Sequence, residues 1–286
     1  MHFPRPFVDR SMLPATLRAV ARRLRPSGTH ETRAAFRAAG RKIHLVGTHE
    51  TYMRSLHGYA ADKSPVARIV RDLPRGAVIF DVGAHIGASV AIAAVSRPDC
   101  HIVAFEPNPR SAASLRQNVA ENNLKNVEVV EAGVGHKAGE FAIADNGPWS
   151  VIGMEGFRCQ IVTLDEFADH APSFVKIDVE GFEPNVLAGA RRVLGHRPRI
   201  FMEFNPWTLL LQHYDPIVFA GVIWRASEER RWWIEQVGAA APESAIGFVH
   251  DVIVRHGCVV DLEFVPTRDL PALEEMVQQP GHEQKA

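Results

Sequence analysis

The stretch Val78-Ile-Phe-Asp-Val-Gly-Ala-His-Ile-Gly87 decides the fold. An apolar strand ends in an acid and runs into a glycine-spaced turn, the arrangement with which α/β proteins build a nucleotide pocket. Asp81 closes the strand, Gly83 permits the tight turn, and Gly87 lets a following helix over residues 88–95 pack closely on the sheet. Further on, His101-Ile-Val-Ala-Phe105 reads as a second strand. It ends in Glu106, nineteen residues after Gly87, where a carboxylate can accept hydrogen bonds from both hydroxyls of a ribose. This pair of strand ends implies an adenosine-containing ligand.

A dinucleotide fingerprint requires Gly-x-Gly-x-x-Gly so that bare backbone approaches a pyrophosphate, and here His85 stands at the second glycine position. Asp81 would repel a pyrophosphate, whereas it suits the ammonium of a methionine moiety and, at longer range, a sulfonium. The charge pattern therefore points to S-adenosylmethionine. The expected cofactor contacts are Asp81, Gly83, Ala84, His85, Gly87, Glu106, Pro107, Asn108 and Ala132.

A second constellation, Phe174-Val-Lys-Ile-Asp-Val-Glu-Gly-Phe-Glu183, brings Asp178 and Glu180 to the same carboxyl edge of the sheet. Four motifs in order resemble the FkbM-type methyltransferases. They are Asp81-Val-Gly-Ala-His-Ile-Gly87, Phe105-Glu-Pro-Asn-Pro109, Lys176-Ile-Asp-Val-Glu-Gly-Phe-Glu183 with Val186-Leu-Ala-Gly-Ala190, and Pro198-Arg-Ile-Phe-Met-Glu203. The resemblance extends over residues 78–207 and implies a class I S-adenosylmethionine-dependent fold. It also implies methyl transfer to a hydroxyl oxygen of a sugar, glycolipid or polyketide-like metabolite. The family more often has Asn where this chain has His85.

At 286 residues, 46% of them hydrophobic, with a formal net charge of −1, the chain is long enough for one well-buried α/β domain with an extension. Cys100, Cys159 and Cys258 are far apart and form no Cys-x-x-Cys, which excludes a zinc ribbon and a disulfide framework and fits a reducing, cytoplasmic compartment. Residues 78–95 are too interrupted by Asp81, His85 and two glycines for a membrane span. Charge is uneven, because residues 1–42 carry ten Lys or Arg against Asp9 and Glu31. Within that arm residues 14–25 read as a helix with Leu17, Val20 and Leu24 on one stripe, and residues 10–25 offer a peripheral contact with an anionic membrane.

The expected fold class is α/β, a Rossmann-like class I methyltransferase. It has a mostly parallel, doubly wound sheet, an N-terminal helical extension and a hairpin or loop insertion. Strands at 78–82, 101–105, 127–130, 173–178 and 199–204 alternate with helices at 88–95, 109–121 and 183–194. Two alternating runs, 140–144 and 159–164, flank a turn-rich loop at 145–150. In the C-terminal third a helix at 244–256 and a strand at 258–265 are expected, whereas residues 48–59 give no defined element. The expected organisation is a basic extension over 1–76, the methyltransferase domain over 77–270, and a tail over 271–286.

Methyl transfer is an in-line displacement, so the protein chiefly aligns acceptor, methyl and sulfur and keeps water out. An aliphatic hydroxyl needs a base. Asp178 is the first candidate, Glu203 the second, and a neutral His85 the third. Glu180, Asn146, Trp149 and Ser150 are expected to meet the acceptor, a small molecule or a glycan- or lipid-linked hydroxyl compound. No spacing singles out metal ligands, so metal-independent turnover is expected, and Lys176 is expected to pair with a nearby acid. Two alternatives remain. One is a nucleic-acid methyltransferase, suggested by the basic arm and Asn205-Pro-Trp207 but lacking any RNA-binding module, so that no nucleic-acid partner is expected. The other is a non-catalytic module that binds the cofactor or a membrane surface.

Overall fold

In the computed structural model the described residues are 31–144, 151–153, 157–234 and 236–267. The helix expected at 14–25, the expected acceptor contacts Asn146, Trp149 and Ser150, and the tail expected beyond 270 lie outside them.

The chain enters through an antiparallel hairpin, β1 (Thr32–Ala38) and β2 (Arg41–Gly47), paired from Thr32↔Gly47 to Ala38↔Arg41. Two short helices follow. In α1 (Glu50–Leu56) the His49 side chain accepts from the Tyr52 amide, and in α2 (Pro65–Arg71) Ser64 caps the Ala67 amide. β1 and α1 were missed, since Thr32–Ala38 carries two arginines and α1 is a single amphipathic stretch burying only Met53 and Leu56.

The central unit alternates as expected through β3 (Val78–Val82), α3 (Ala88–Ser96), β4 (His101–Phe105), α4 (Pro109–Glu121) and β5 (Val127–Val130). Asn108 caps α4, with Pro109 at its first position, where a missing N–H costs nothing. The insertion is a small sheet of its own, in the order β6 (Gly133–Val134), β9 (Phe157–Val162), β7 (Gly139–Ala144), β8 (Val151–Gly153). The parallel pattern resumes with β10 (Phe174–Ile177) and continues to β11 (Arg199–Phe204).

The single helix expected over 183–194 is two, α5 (Glu183–Ala188) and α6 (Arg191–Gly195). The break has a steric reason. Gly189 lies so close to the insertion that a Cβ there would stand 2.0 Å from the Gly135 carbonyl oxygen, and its own carbonyl accepts from the Asp165 amide at 3.1 Å.

Beyond β11 come α7 (Pro206–Leu211), α8 (Pro216–Ala226), β12 (Ser227–Ile234), β13 (Val237–Ala240), α9 (Ala245–Arg255) and β14 (Val260–Pro266). The main sheet runs β13-β12-β14-β11-β10-β3-β4-β5, parallel from β11 to β5 and antiparallel where β14, β12 and β13 complete it. The order reverses between β3 and β10, and a doubly wound sheet opens its ligand crevice at such a point. Each face carries its own core. Phe80, Val103, Val175 and Met202 lie on one, and Ile79, Ile102, Phe174 and Phe201 on the other. Among the described residues no helix is long and apolar enough to cross a membrane.

The N-terminal hairpin is bolted to α4 by two asparagines. Asn118 accepts from the Val46 amide at 2.8 Å and donates to the carbonyls of Val46 at 3.0 Å and Ile86 at 2.8 Å. Asn122 does the same for His44, accepting at 3.0 Å and donating at 2.6 Å. These side chains give β2 the pairing that a neighbouring strand would otherwise supply. Asn118 is 2% exposed, so replacing it by Leu leaves buried backbone groups without partners. The expected loss is about 1–3 kcal/mol in urea unfolding, with faster hydrogen exchange at residues 43–47.

Candidate methyl-transfer site

The cleft lies over the carboxyl ends of β3, β4 and β10 and holds ≈ 570 Å³ of space open to solvent. Of the residues expected to hold the cofactor, Gly83, His85, Glu106, Pro107 and Ala132 line it, together with Asp178 and Glu180. Asp81, Ala84, Gly87 and Asn108 are not among the lining residues and are buried.

At Gly83 the backbone has φ +77°, and a Cβ would stand 1.9 Å from the Asp178 carbonyl oxygen, so only glycine lets the turn after β3 meet the loop after β10. The next turn residue off the floor, His85, has φ +50°, a left-handed conformation in which Asn and His are enriched, which accounts for either residue at this position. Its Nδ1 is buried with no hydrogen-bond partner, and its ring packs edge-on against Tyr52 at 4.8 Å. Burial, with His49 and Lys176 nearby, lowers its pKa to about 3, so the imidazole is neutral.

Glu106 is 6% exposed and is held in place by the backbone: Oε2 accepts from the His85 amide at 2.7 Å and Oε1 from the Asn108 amide at 2.9 Å. Asn108 is itself buried, its carboxamide oxygen turned to the start of α4. Burial raises the Glu106 pKa to about 7 against those hydrogen bonds.

Asp81 is 3% exposed and already engaged. Ser89 donates to Oδ2 at 2.5 Å, and Lys176 Nζ lies 3.1 Å from Oδ1, in an ion pair off the hydrogen-bond direction that leaves Oδ1 with acceptor capacity. The same ammonium donates to the Gly83 carbonyl at 3.0 Å and lies 3.5 Å from Asp178 Oδ2. The expected pairing of Lys176 with an acid is thus a bridge between two acids, set up by the register Lys176↔Asp81 across adjacent strands.

Past Lys176 the carboxylates crowd. Ligand oxygens of Asp178, Glu180 and Glu203 lie within 4.8 Å of one another, a spacing that would let them share one cation. The sequence could not show this, because Glu203 arrives from a different strand. Glu180 sits at φ +55°. The nearby Glu183 is structural: its Oε1 accepts from the Val179 and Gly181 amides at 3.2 and 3.3 Å and ties down the loop between them. One acid was missed. Asp261 on β14 stands opposite Glu203 in the ladder and so on the same face. Burial and then Asp178 raise its pKa to about 7, while burial, Glu180, Asp178 and Asp261 hold Glu203 well above the usual carboxylate range.

Residues 81–221 match the methyltransferase FkbM domain. The chain contains an FkbM-type methyltransferase domain. Over 151 residues it is 26% identical to hexuronic acid methyltransferase AglP of Haloferax volcanii, covering 50% of this chain and 60% of that one. A 64-residue stretch is 41% identical to the ribosomal RNA small subunit methyltransferase G of Leifsonia xyli subsp. xyli, covering 22% of this chain and 31% of that one. The chain thus spans less than two thirds of either relative. Among solved structures it is similar to M. jannaschii TYW2 in complex with AdoMet, at 12% identity and TM-score 0.44, covering 84% of this chain and 88% of that one.

Two consequences can be measured. Replacing Lys176, 7% exposed, by Met strands Asp81 in the interior, and the loss of this buried pair is expected to cost about 3–5 kcal/mol in chemical denaturation. S-adenosylhomocysteine affinity is expected to rise with pH through about 7, because the ionised Glu106 is the form that accepts ribose hydroxyls, and to lose that dependence in Glu106→Gln.

Proposed function

We propose that this chain, through its FkbM-type domain, uses S-adenosylmethionine to methylate a hydroxyl oxygen of a sugar or sugar-like metabolite, free or lipid-linked. The observation that carries the reading is the adjacency of two unlike halves: a glycine-turned nucleotide cleft ending at Glu106, and a crowded carboxylate group beginning at Asp178. Their chemistry fits the cofactor. Glu106 suits the ribose, the acceptor capacity left on Asp81 Oδ1 suits the methionine ammonium, and the turn at Gly83 and His85 would follow the chain between them. Bound there, the cofactor supplies a methyl group activated on a sulfonium.

The remaining work falls to the acids. In this reading Asp178, one edge of its carboxylate turned to Lys176 and the other to the cleft, takes the acceptor's hydroxyl proton. Glu203 and Asp261 lie beside it with raised proton affinity and offer the released proton a place. His85, neutral and packed on Tyr52, fits better as a wall than as the base. The Haloferax relative, named for a hexuronic acid, supports a sugar acceptor. The spacing of Asp178, Glu180 and Glu203 also favours a second reading, in which a divalent cation orients the acceptor.

The test is transfer of labelled methyl from S-adenosylmethionine to a panel of methyl glycosides. Asp178→Asn is expected to lower kcat by about 10²–10⁴-fold while S-adenosylhomocysteine still binds. Unchanged turnover in EDTA is the expected result, and a rate lost in EDTA and restored by Mg²⁺ would move these carboxylates from base to metal ligands. Absence of any S-adenosylhomocysteine binding would end the methyltransferase reading.

A further inference from the structure

The family match begins at residue 81 and ends at residue 221, yet pieces of chain from both sides of it reach the acid group. From the N-terminal side come α1 and the turn after it. The Tyr52 ring meets His85 edge-on at an interplanar angle of 71°, and its phenol has Lys176, Asp178 and Asp81 as charged neighbours. Tyr59 packs edge-on against Phe36 of the hairpin at 6.2 Å and has Asp261 as its charged neighbour. From the C-terminal side comes Asp261, brought beside Glu203 by the antiparallel insertion of β14.

All of these groups share one face of the sheet. Asp81 and Lys176 pair across β3 and β10, Lys176 pairs with Phe201, and Asp261 pairs with both Glu203 and Trp233. Tyr52 and Tyr59 pack on the core of that same face. Tyr52, Tyr59, Asp178, Glu180, Glu203 and Asp261 are each half-buried, neither shut into the core nor standing in open solvent. Acids and two tyrosines thus meet on one face, next to the cleft that Asp178 and Glu180 line.

We propose that residues 50–59 are the acceptor-side wall of the site and that, with Asp261, they select a neutral polyhydroxylated ring over an acidic one. The inference rests on the sugar O-methylation reading and deepens it. Carboxylates only accept hydrogen bonds when ionised and donate one when protonated, so closely set acids match the paired hydroxyls of a sugar. Tyrosine rings offer a flat, amphipathic surface to the other side of that ring. Five carboxylates, Asp81, Asp178, Glu180, Glu203 and Asp261, share this region with a single ammonium, so a carboxylate on the acceptor would add a like charge where the imbalance is already unfavourable. Tyr52 and Tyr59 are specificity-determining residues on this account, and Asp261 is the acid that extends the carboxylate group beyond Glu203.

The experiment uses the full chain saturated with S-adenosylhomocysteine. Binding of neutral methyl hexosides (gluco, galacto and manno) and of the corresponding methyl hexuronosides is followed by saturation-transfer NMR and calorimetry. At least one neutral hexoside is expected to bind, with its uronoside about tenfold weaker or more. Tyr52→Ala and Tyr59→Ala should each weaken the neutral hexoside by about tenfold while S-adenosylhomocysteine affinity holds, which also reports that the variants are folded. Tyr52→Phe should retain most of the binding, and Asp261→Asn should narrow the gap between neutral and acidic sugars. Uronosides binding as tightly as their neutral partners, hexoside affinity indifferent to both tyrosines, or no hexoside binding to the loaded protein would each overturn the proposal. Failure of the unsubstituted protein to bind S-adenosylhomocysteine would instead bring down the reading on which it rests.

Discussion

The ammonium of Lys176 holds the site together. It is a buried charge between Asp81 and Asp178, and its third contact is the carbonyl of Gly83, the glycine of the turn after β3. A buried ion pair returns little net stability once desolvation is counted, so its worth lies in what it aligns. Here it fixes the ends of two adjacent strands relative to each other and sets an acid on either side of the cleft's midline. Phe174 and Ile79 pack beneath the pair, and Ser89 from α3 completes it above. The turn after β3 and the loop after β10 thus share one electrostatic hinge.

Around that hinge the carboxylates divide by what surrounds them. Glu106 receives two backbone N–H groups and is fixed in direction before any ligand arrives, a preorganised acceptor pair. Glu203 and Asp261 have no such backbone support among the contacts described, and they crowd one another and Asp178. The first environment suits recognition of hydroxyls by a fixed anion, and the second suits a proton that can move. Carboxylates of one kind acquire two uses from position alone.

Much of this was legible in the sequence where local pattern and function coincide. The run from Val78 to Gly87, the strand ending at Glu106 and the helix at 109–121 each carry a complete local signal: apolar strand, glycine turn, capping Asn108 followed by proline. Legibility failed where an element owes its existence to long-range partners. Ser227–Ile234 reads Ser-Glu-Glu-Arg-Arg-Trp-Trp-Ile, with a register shift between Glu228 and Arg231 that destroys any simple alternation. The hairpin strand β1 alternates around arginines, and the helix expected over 183–194 breaks because Gly135, fifty-four residues earlier than Gly189, comes against it. Asp261 escaped notice for the same reason. No motif surrounds it, and only the pairing with Glu203 gives it a place in the site.

That pairing has a consequence for how the molecule comes into being. β14 is the last strand described, yet it lies between β11 and β12, both of which precede it in the chain. A gap must stay open, or reopen, in the sheet until residues 260–266 arrive, and contacts of such sequence separation are slow to form. A nascent chain that has already shaped the nucleotide cleft would still lack the strand that sets Asp261 beside Glu203. Cofactor affinity and transfer competence should therefore emerge at separate moments of folding, the first with the parallel half of the sheet and the second only with its antiparallel closure.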